Sequence, residues 1–334
     1  MGEAVTLGVL GTMVWDRIDH PDGEVVERWG GISYSLAALA AAAPEGWTIR
    51  PLIRLGADLA DRGRAFLASL PQVAPEAGVV EVPEPNNRVY LRYTDRHDRD
   101  EQLTGGVGPW PWSELEPRLQ GLDALYVNLI SGFELEPETA ATLAERPEPR
   151  YVDIHSLVLA VDPDGGRVPR RPERADVWLD AFDVVQLNER EATIMAGDFS
   201  PEVMARSAIR DGAAALLVTR GPRGAGWFAR ADAPIWPRLD AGGGGAAGGR
   251  ASRRSASAAG GDGTVRSGEV PLEATRTTAG DPTGCGDVWG ATCFAHLVRG
   301  RRLSDAMARA NRAAARNVNH RGAEGLFEHL RGDA

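Results

Sequence analysis

The spacing of apolar and polar residues changes near residue 120 and predicts two regions of different architecture. Beyond that point short apolar runs alternate with helical segments such as 136–145 and 190–196, the runs being 124–130, 151–154, 184–187 and 215–219. Strands that alternate with helices are typical of right-handed crossover units, whose strands pair in parallel and are covered by helices on both faces. The second region is therefore predicted to form a mainly parallel α/β sheet.

The amino-terminal region predicts strands joined by tight turns. The apolar run 5–14 is interpreted as one buried strand that delivers Asp16 at its carboxyl end. Residues 25–29 follow an Asp22-Gly23 turn and complete a hairpin.

A second hairpin is predicted further along, where 88–93 and 101–104 flank a charged turn. Between the two hairpins, Gly30-Gly31 precedes an Ala-rich helix over 32–43. The chain therefore has a glycine-rich junction between a strand and a helix close to Asp16.

A second glycine-rich junction lies near the carboxyl terminus, where the loop 277–287 precedes an apolar helix over 288–298. Unpaired N–H groups and the positive end of the helix dipole would face an anion in this loop, and glycines let a phosphate approach the backbone. Asp287 then lies in the first helical turn beside that anion. The alternative is that Asp287 only caps the helix.

Composition narrows the possible chemistry. Among 334 residues the formal net charge is −10, which argues against nucleic-acid and anionic-membrane partners. The sequence contains no Lys, so a Walker A loop and protein-kinase chemistry are excluded. We expect a soluble cytoplasmic protein, because no apolar run approaches the ~18 residues of a membrane span and the first residues do not resemble a secretory signal.

Cysteine spacing and one low-complexity stretch add two further expectations. Cys285 and Cys293 lie eight positions apart, roughly 12 Å along a helix, so they cannot pair with each other. Cys285 either fills a tight loop or is a nucleophile activated by the helix N-terminus. Residues 240–268 are rich in Gly, Ala, Ser and Arg and predict a flexible insertion.

The chain resembles the ribokinase family, also called the phosphofructokinase-B family, of sugar and nucleoside kinases. The segment Asp281-Pro282-Thr283-Gly284-Cys285-Gly286-Asp287 is similar to the family motif Asp-Thr-Thr-Gly-Ala-Gly-Asp. The resemblance implies an anion hole formed by Gly284, Cys285 and Gly286, with Asp287 as the catalytic base. It also implies a monovalent-cation site, for K⁺, at Asp281 and the carbonyl of Thr283.

Further motifs of the family follow in the same order. Asn188 and Glu191 match its Asn-x-x-Glu motif, which implies that they organise Mg²⁺, with Glu191 acting through water, although such a motif alone usually marks a capped helix start. The resemblance implies that ATP binds at Asn188, at the strand end and at a later helix, through Thr219, Arg220, Gly221, Gly224 and Asn311.

The motifs that bind the phosphate acceptor in the family match this chain less closely. Gly30-Gly31 matches, but Ser35 and Val14 stand where many members have Asn. Asp16 is retained, and a carboxylate can accept two hydroxyl hydrogen bonds, which suits a polyol or ribose. A cap or a surface salt bridge is the alternative role of Asp16. Substrate binding is thus assigned to Asp16, Gly30, Gly31 and Ser35.

The resemblance implies one ribokinase-like domain over 1–334, a three-layer doubly wound, mainly parallel α/β sheet with a small β-lid at 16–29 and 88–104. It implies ATP-dependent phosphoryl transfer to a hydroxyl of a sugar or sugar-like substrate, and a homodimer formed through the lid. A nucleoside kinase, a non-catalytic sugar or nucleoside sensor, and a nicotinamide-dependent oxidoreductase are the alternatives, of which the last lacks a credible dinucleotide fingerprint. The sequence does not identify the acceptor.

Overall fold

The computed structural model describes residues 4–19, 23, 25–93, 99–239, 264–273 and 280–332. Its strands divide among one large sheet, one small sheet and a two-stranded hairpin over 159–169. The strands are β1 (Thr6–Leu10), β2 (Met13–Asp19), β3 (Val25–Gly31), β4 (Thr48–Gly56), β5 (Val79–Val82), β6 (Arg88–Tyr93), β7 (Arg99–Thr104), β8 (Ala124–Asn128), β9 (Arg150–Asp153), β10 (Leu159–Val161), β11 (Arg167–Pro169), β12 (Val184–Asn188), β13 (Ala215–Thr219), β14 (Ala225–Ala229) and β15 (Arg266–Val270).

The large sheet has nine strands in the order β15-β14-β13-β12-β9-β8-β1-β4-β5. All neighbours pair in parallel except at one edge, where β14 runs antiparallel to both β13 and β15. The predicted strands β8, β9, β12 and β13 all lie at the centre of this sheet, so the predicted mainly parallel α/β architecture is confirmed.

Helices cover both faces of the large sheet. They are α1 (Ile32–Ala42), α2 (Ala60–Ser69), α3 (Trp112–Leu115), α4 (Pro137–Leu143), α5 (Ala175–Ala181), α6 (Glu189–Ala196), α7 (Pro201–Arg210), α8 (Cys285–Val298), α9 (Leu303–Asn317) and α10 (Leu326–Arg331). Alternate residues of a strand belong to two different cores. Tyr126 belongs to the core that includes α1, α2 and α8 to α10, whereas Leu125 and Val127 belong to the core that includes α3 to α7. Because successive side chains of a strand point to opposite faces, two cores form and the fold has three layers. None of the described helices is long and apolar enough to cross a membrane.

The small sheet has four strands in the order β3-β2-β6-β7 and contains the antiparallel strand pairs of both predicted hairpins. Residues 20–22, 24 and 94–98, which include most of the predicted turns, lie outside the described residues. The prediction of a single strand over 5–14 is wrong, because the chain leaves the large sheet after β1 and enters the small one at β2. The carbonyl of Thr12 accepts a hydrogen bond from the N–H of Ile32 at this break, and the Thr12 hydroxyl donates to Glu134. As a result Asp16 lies in the middle of a strand of the small sheet and not at the end of β1.

The carboxyl-terminal end of the predicted insertion also differs from expectation. Residues 240–263 lie outside the described residues, but the predicted range 240–268 overlaps β15, which pairs with β14 from Arg266 onward. An edge strand can be polar on its exposed face, so its sequence does not stand out from a low-complexity stretch. The insertion therefore ends before residue 266.

Candidate active site

A cleft of about 1170 Å³ lies between the small sheet and the carboxyl ends of the central strands of the large sheet. Its walls include Asp153, Asn188 and Thr219 at the ends of β9, β12 and β13, and Asp16 from β2. The glycine loop at the start of α8 also lines it. Ligands of open α/β sheets bind beyond the strands' carboxyl ends, and this cleft occupies that position.

The glycine loop owes its shape to Gly284. This residue has φ 76°, occupies the N-cap position of α8, and would bring a Cβ atom to 2.4 Å from Cδ1 of Tyr34. Only glycine adopts that conformation without strain. From the other side, the Asn317 side chain donates to the Thr283 carbonyl at 2.8 Å. Within this turn the Cys285 N–H donates to the Pro282 carbonyl at 3.1 Å, so the predicted anion-hole donor at Cys285 is already paired. Gly284 and Gly286 line the cleft in the same fixed turn.

Asp287 lies in the first turn of α8 and is 5% exposed. It does not cap the helix, because Gly284 holds the N-cap position and makes no side-chain capping bond. Instead its carboxylate accepts a hydrogen bond of 2.7 Å from the side chain of Asn128, at the end of β8. Burial raises the pKa of Asp287 to about 7, although the bond from Asn128 works in the opposite direction. A carboxylate with such a pKa can accept a proton near neutral pH.

Two further carboxylates share the cleft with Asp287. Burial, with the charges of Glu191 and Asp287, holds the pKa of Asp153 well above its usual value. Burial raises the pKa of Glu191 to about 7, against the effect of a hydrogen bond from the backbone of Asn188. Mg²⁺ is usually bound in proteins through one or two carboxylates together with water and substrate phosphates, and these carboxyl groups fit the predicted ion. Among the described residues no group of three or more His, Cys, Asp or Glu could hold a metal by itself.

Asn188 and Glu191 form a reciprocal capping box at the start of α6. The Asn188 side chain accepts from the Glu191 N–H at 2.8 Å, and the Glu191 carboxylate accepts from the Asn188 N–H at 2.7 Å. Both residues also line the cleft. The capping role therefore holds for a pair of side chains that also lines the cleft, and their predicted roles toward Mg²⁺ and ATP stay predictions.

The acceptor-end residues divide into two groups. Asp16 lines the cleft and is 5% exposed, and its carboxylate lies so close to Gly30 that a Cβ atom there would be 1.9 Å from it. Gly31 lines the cleft with φ 59°. Ser35 is fully buried behind Asp287, where its hydroxyl accepts from Asn128, and it is not part of the cleft wall. Its place supports a role in holding Asn128 and not direct substrate contact.

Of the residues predicted to bind ATP, Asn188 and Thr219 line the cleft. The Arg220 guanidinium pairs with Glu269 at 2.5 Å and lies outside the cleft wall. The Asn311 amide accepts from the Trp289 indole N–H and donates to the Val270 carbonyl, so it joins α8 and α9 to the end of β15. Gly221 and Gly224 also lie outside the wall, with φ of 53° and 86° in the turn between β13 and β14.

Three cleft residues were missed by the sequence reasoning. The Nε2 atom of His155 lies 3.9 Å from Oδ1 of Asp287, and the backbone of His155 has φ 40°, in the left-handed region. The Gln186 side chain donates to Asp153 at 2.7 Å and to the Gly286 carbonyl at 3.2 Å. Asp153 and the supporting Asn128 are the last residues of β9 and β8, so the rule that ligands bind beyond strand ends could have found them.

Cys285 does not have the surroundings of a nucleophile. Burial raises the pKa of its thiol, while the Asn317 side chain, 3.4 Å away, works in the opposite direction. The sulfur also lies 3.4 Å from the Ala314 carbonyl. These contacts favour the loop-filling role among the two that the sequence left open.

An ion pair between Arg28 and Asp281 joins the small sheet to the glycine loop. Nη2 of Arg28 lies 2.7 Å from the Asp281 carboxylate, which also accepts from the Thr283 N–H at 2.9 Å. Although burial acts the other way, the bonds from Thr283 and Arg28 hold the pKa of Asp281 below its ordinary 3.8. The proposed monovalent-cation role of Asp281 and the Thr283 carbonyl stays a prediction.

We expect Arg28→Met to lower the free energy of unfolding by about 3 kcal/mol, since it leaves the Asp281 carboxylate without its partner. A depressed carboxyl pKa stabilises the fold above the unfolded value of 3.8, and this contribution is lost as the pH falls through the lower folded value. The loss in the variant should therefore shrink in acid. Urea unfolding at neutral and acidic pH measures it. Arg17→Met, which removes an exposed pair with Asp19, is the control and should cost less than about 1 kcal/mol; equal losses for both variants would contradict the prediction.

No family model and no curated protein sequence matches the chain. Solved structures do. A pyrophosphate-dependent kinase of the ribokinase family, complexed with a pyrophosphate analog and myo-inositol, is 15% identical over 96% of this chain and 99% of that one, with a TM-score of 0.68. The Arabidopsis thaliana ribokinase with ribose and ATP is 14% identical over 98% and 99% of the chains, with a TM-score of 0.65.

A third structure, described as a candidate ribokinase II from E. coli with ATP and Mg²⁺, is 15% identical over 99% of this chain and 98% of that one, with a TM-score of 0.69. At such identities the likeness establishes the fold. The chain has the ribokinase-like α/β fold over nearly its whole length, and the predicted resemblance is confirmed at that level.

Proposed function

We propose that the protein is an ATP-dependent small-molecule kinase that transfers the γ-phosphoryl group to a hydroxyl of a sugar or sugar-like substrate. The observation that carries the proposal is the position of Asp287, a buried carboxylate with a raised pKa beside the glycine loop that begins α8. Phosphoryl transfer requires positioning and charge stabilisation more than covalent chemistry, and both can be assigned to residues of this cleft.

Different residues of the cleft are assigned to the anion hole, the general base and the metal ion. The N–H groups of Gly284 and Gly286 stabilise the charge on the transferred group as an anion hole. Asp287, held by Asn128 at 2.7 Å, takes the proton of the attacking hydroxyl. Glu191 and Asp153 hold Mg²⁺ through water, and this ion, when bound with the donor, would neutralise charge on the phosphates.

A sugar-like acceptor fits this cleft better than a nucleoside does. A nucleobase is usually held by aromatic stacking, but Trp15 and Trp29 pack edge to face on each other at 5.1 Å, and Arg62 covers Trp15 at 4.8 Å. Neither Trp15 nor Trp29 belongs to the cleft wall, although Tyr34 and Tyr90 do. The preference for a sugar-like acceptor therefore rests on Asp16, a hydroxyl acceptor in that wall. Closure of the small sheet as a lid and pairing of two copies through it remain part of the proposal.

A substrate screen tests this function. Sugars, inositols, nucleosides and small hydroxymethyl compounds are offered with Mg²⁺ and either ATP or pyrophosphate, and donor consumption is measured. Transfer to a sugar or inositol from ATP is the expected result. Transfer to nucleosides alone would show that the proposed acceptor is wrong, and transfer from pyrophosphate alone would show that the proposed donor is wrong. Binding of a sugar or nucleoside without transfer would favour a non-catalytic sensor.

We expect Asp16→Ala to raise the KM for the acceptor about tenfold or more while the KM for ATP changes less than about twofold, because only hydroxyl hydrogen bonds are lost. Isothermal titration with the acceptor and with ATP separately measures how much the affinity for each ligand falls. Equal losses for acceptor and nucleotide would refute the assignment of Asp16 to the acceptor.

A further inference from the structure

The hairpin formed by β10 and β11 connects the two sheets across the cleft. It follows β9 of the large sheet, and its tip is bound to β7 of the small sheet, where the Leu103 N–H donates to the Gly165 carbonyl at 2.9 Å and Gln102 bridges Gly166. The tip is itself closed by Asp162, whose carboxylate accepts from the Gly166 N–H at 2.7 Å. These contacts fix the position of the residue that follows, Arg167.

Arg167 places a buried guanidinium on the wall of the cleft. Its side chain is 3% exposed, and it lines the cleft together with Asp16 and Glu101. Its Nη1 donates to the Ser131 carbonyl at 2.7 Å, and its Nε lies 3.8 Å from the Glu101 carboxylate, beyond hydrogen-bond distance. Nε and Nη2 have no hydrogen-bond partner among the described residues.

Such an arrangement is costly unless a ligand completes it. An unsatisfied donor on a buried charged group destabilises the fold, and native structures contain few of them. Burial also lowers the pKa of Arg167, against the attraction of Glu101, which reflects lost hydration of the guanidinium. Nε and Nη2 are thus buried without a hydrogen-bond partner from the described part of the chain, in a side chain that lines the cleft, which the proposed function fills with substrate.

Arg167 lies at the acceptor end. Its anchor, Ser131, follows the end of β8, the strand that supplies Asn128 to Asp287, whereas Asn188 and Thr219 end β12 and β13 on the other side of β9. Asp16 and Glu101, from β2 and β7 of the small sheet, line the same cleft as Arg167. Hydroxyl donors and acceptors are thus both present in its wall.

We propose that Arg167 is an acceptor-binding residue that donates hydrogen bonds from Nε and Nη2 to hydroxyls of an uncharged polyol, while Asp16 and Glu101 accept from others. The inference rests on the proposed function and names the substrate class of its site. At this acceptor end of the cleft the charge of Arg17 is balanced by its pairs with Asp19 and Glu27. The remaining carboxylates, Asp16 and Glu101, would repel an anionic acceptor.

Binding and kinetics of Arg167→Met test the proposal, with Arg170→Met as the matched control, since Arg170 is exposed at the end of the same hairpin and outside this cleft. Ribose, myo-inositol and other neutral polyols are titrated against each protein, and an acceptor found in the substrate screen is used for kinetics. We expect Arg167→Met to weaken acceptor binding and raise its KM about tenfold to hundredfold, with the KM for the donor within about twofold. Arg170→Met should match the wild type.

Several results would overturn the proposal. These are unchanged polyol binding in Arg167→Met, equal losses for acceptor and donor, no polyol binding to the wild type, or preferential binding of sugar acids over neutral polyols. A loss of stability measured by urea unfolding without a change in acceptor affinity would show a purely structural role. Polyol binding that depends on Arg167 without any phosphoryl transfer would leave the inference standing and reject the kinase.

Discussion

Asp287→Asn is expected to lower the rate of phosphoryl transfer by about 10²- to 10⁴-fold, the usual contribution of a general base. The asparagine keeps the size of the side chain, and its oxygen can still accept the hydrogen bond that Asn128 donates. It cannot take a proton from the attacking hydroxyl. Initial rates with an acceptor from the substrate screen, compared at saturating donor, measure the loss.

The fold of this variant should be intact. Burial disfavours the charged form of Asp287, so its replacement by a neutral amide should leave the free energy of unfolding unchanged or raise it. Nucleotide binding measured by calorimetry should be retained. Asp198→Asn, a change of the same kind at an exposed position between α6 and α7, is the control. A correctly folded Asp287→Asn protein with turnover near that of the control would remove Asp287 from the role of base.

The same assignment gives the direction of the pH dependence. Only ionised Asp287 can accept a proton, and its pKa is raised to about 7, so kcat/KM should rise with pH through about 7 and level off above it. Glu191 also has a pKa of about 7. The rise of kcat/KM with pH therefore reports the interacting carboxylates together and not Asp287 alone. The residual activity of Asp287→Asn should follow a different profile.

Local sequence patterns were sufficient for the centre of the fold. The apolar runs that became β12 and β13 are bounded by polar or turn residues, and their predicted ends lie within one residue of the observed ones. The glycine loop was also predicted from local chemistry, since Gly284 and the helix start at Cys285 are adjacent in sequence.

The features that could not be predicted from the sequence depend on contacts between residues far apart in the chain. The run 5–14 is apolar throughout, and only the bonds of Thr12 to Ile32 and to Glu134, 122 residues away, show where it divides. The sequence also did not show that Arg220, predicted to bind ATP, pairs with Glu269, because Glu269 lies on β15 and the polar sequence of that strand did not predict a strand.

Gly284→Ala should damage both the fold and the activity. Its φ of 76° costs a residue with a Cβ atom about 1–2 kcal/mol, and the added methyl would lie 2.4 Å from the Tyr34 ring. Either the loop or Tyr34, which is 1% exposed, must move. We therefore expect the free energy of unfolding to fall by about 2 kcal/mol or more, with a large loss of turnover as the N–H groups leave their positions.

Gly286→Ala, two residues further on, separates steric from catalytic effects. A Cβ atom at Gly286 meets no heavy atom of the described residues within 4 Å, and alanine favours the helix by up to about 1 kcal/mol, so stability should be unchanged or higher. The residue lines the cleft, however, and a methyl group there would keep a phosphate away from the backbone. We expect the KM for the donor to rise about tenfold or more in a protein that unfolds like the wild type. Wild-type kinetics in Gly286→Ala would mean that no phosphate approaches this loop, because the anion hole is the only part of the proposal that needs a bare backbone at that position.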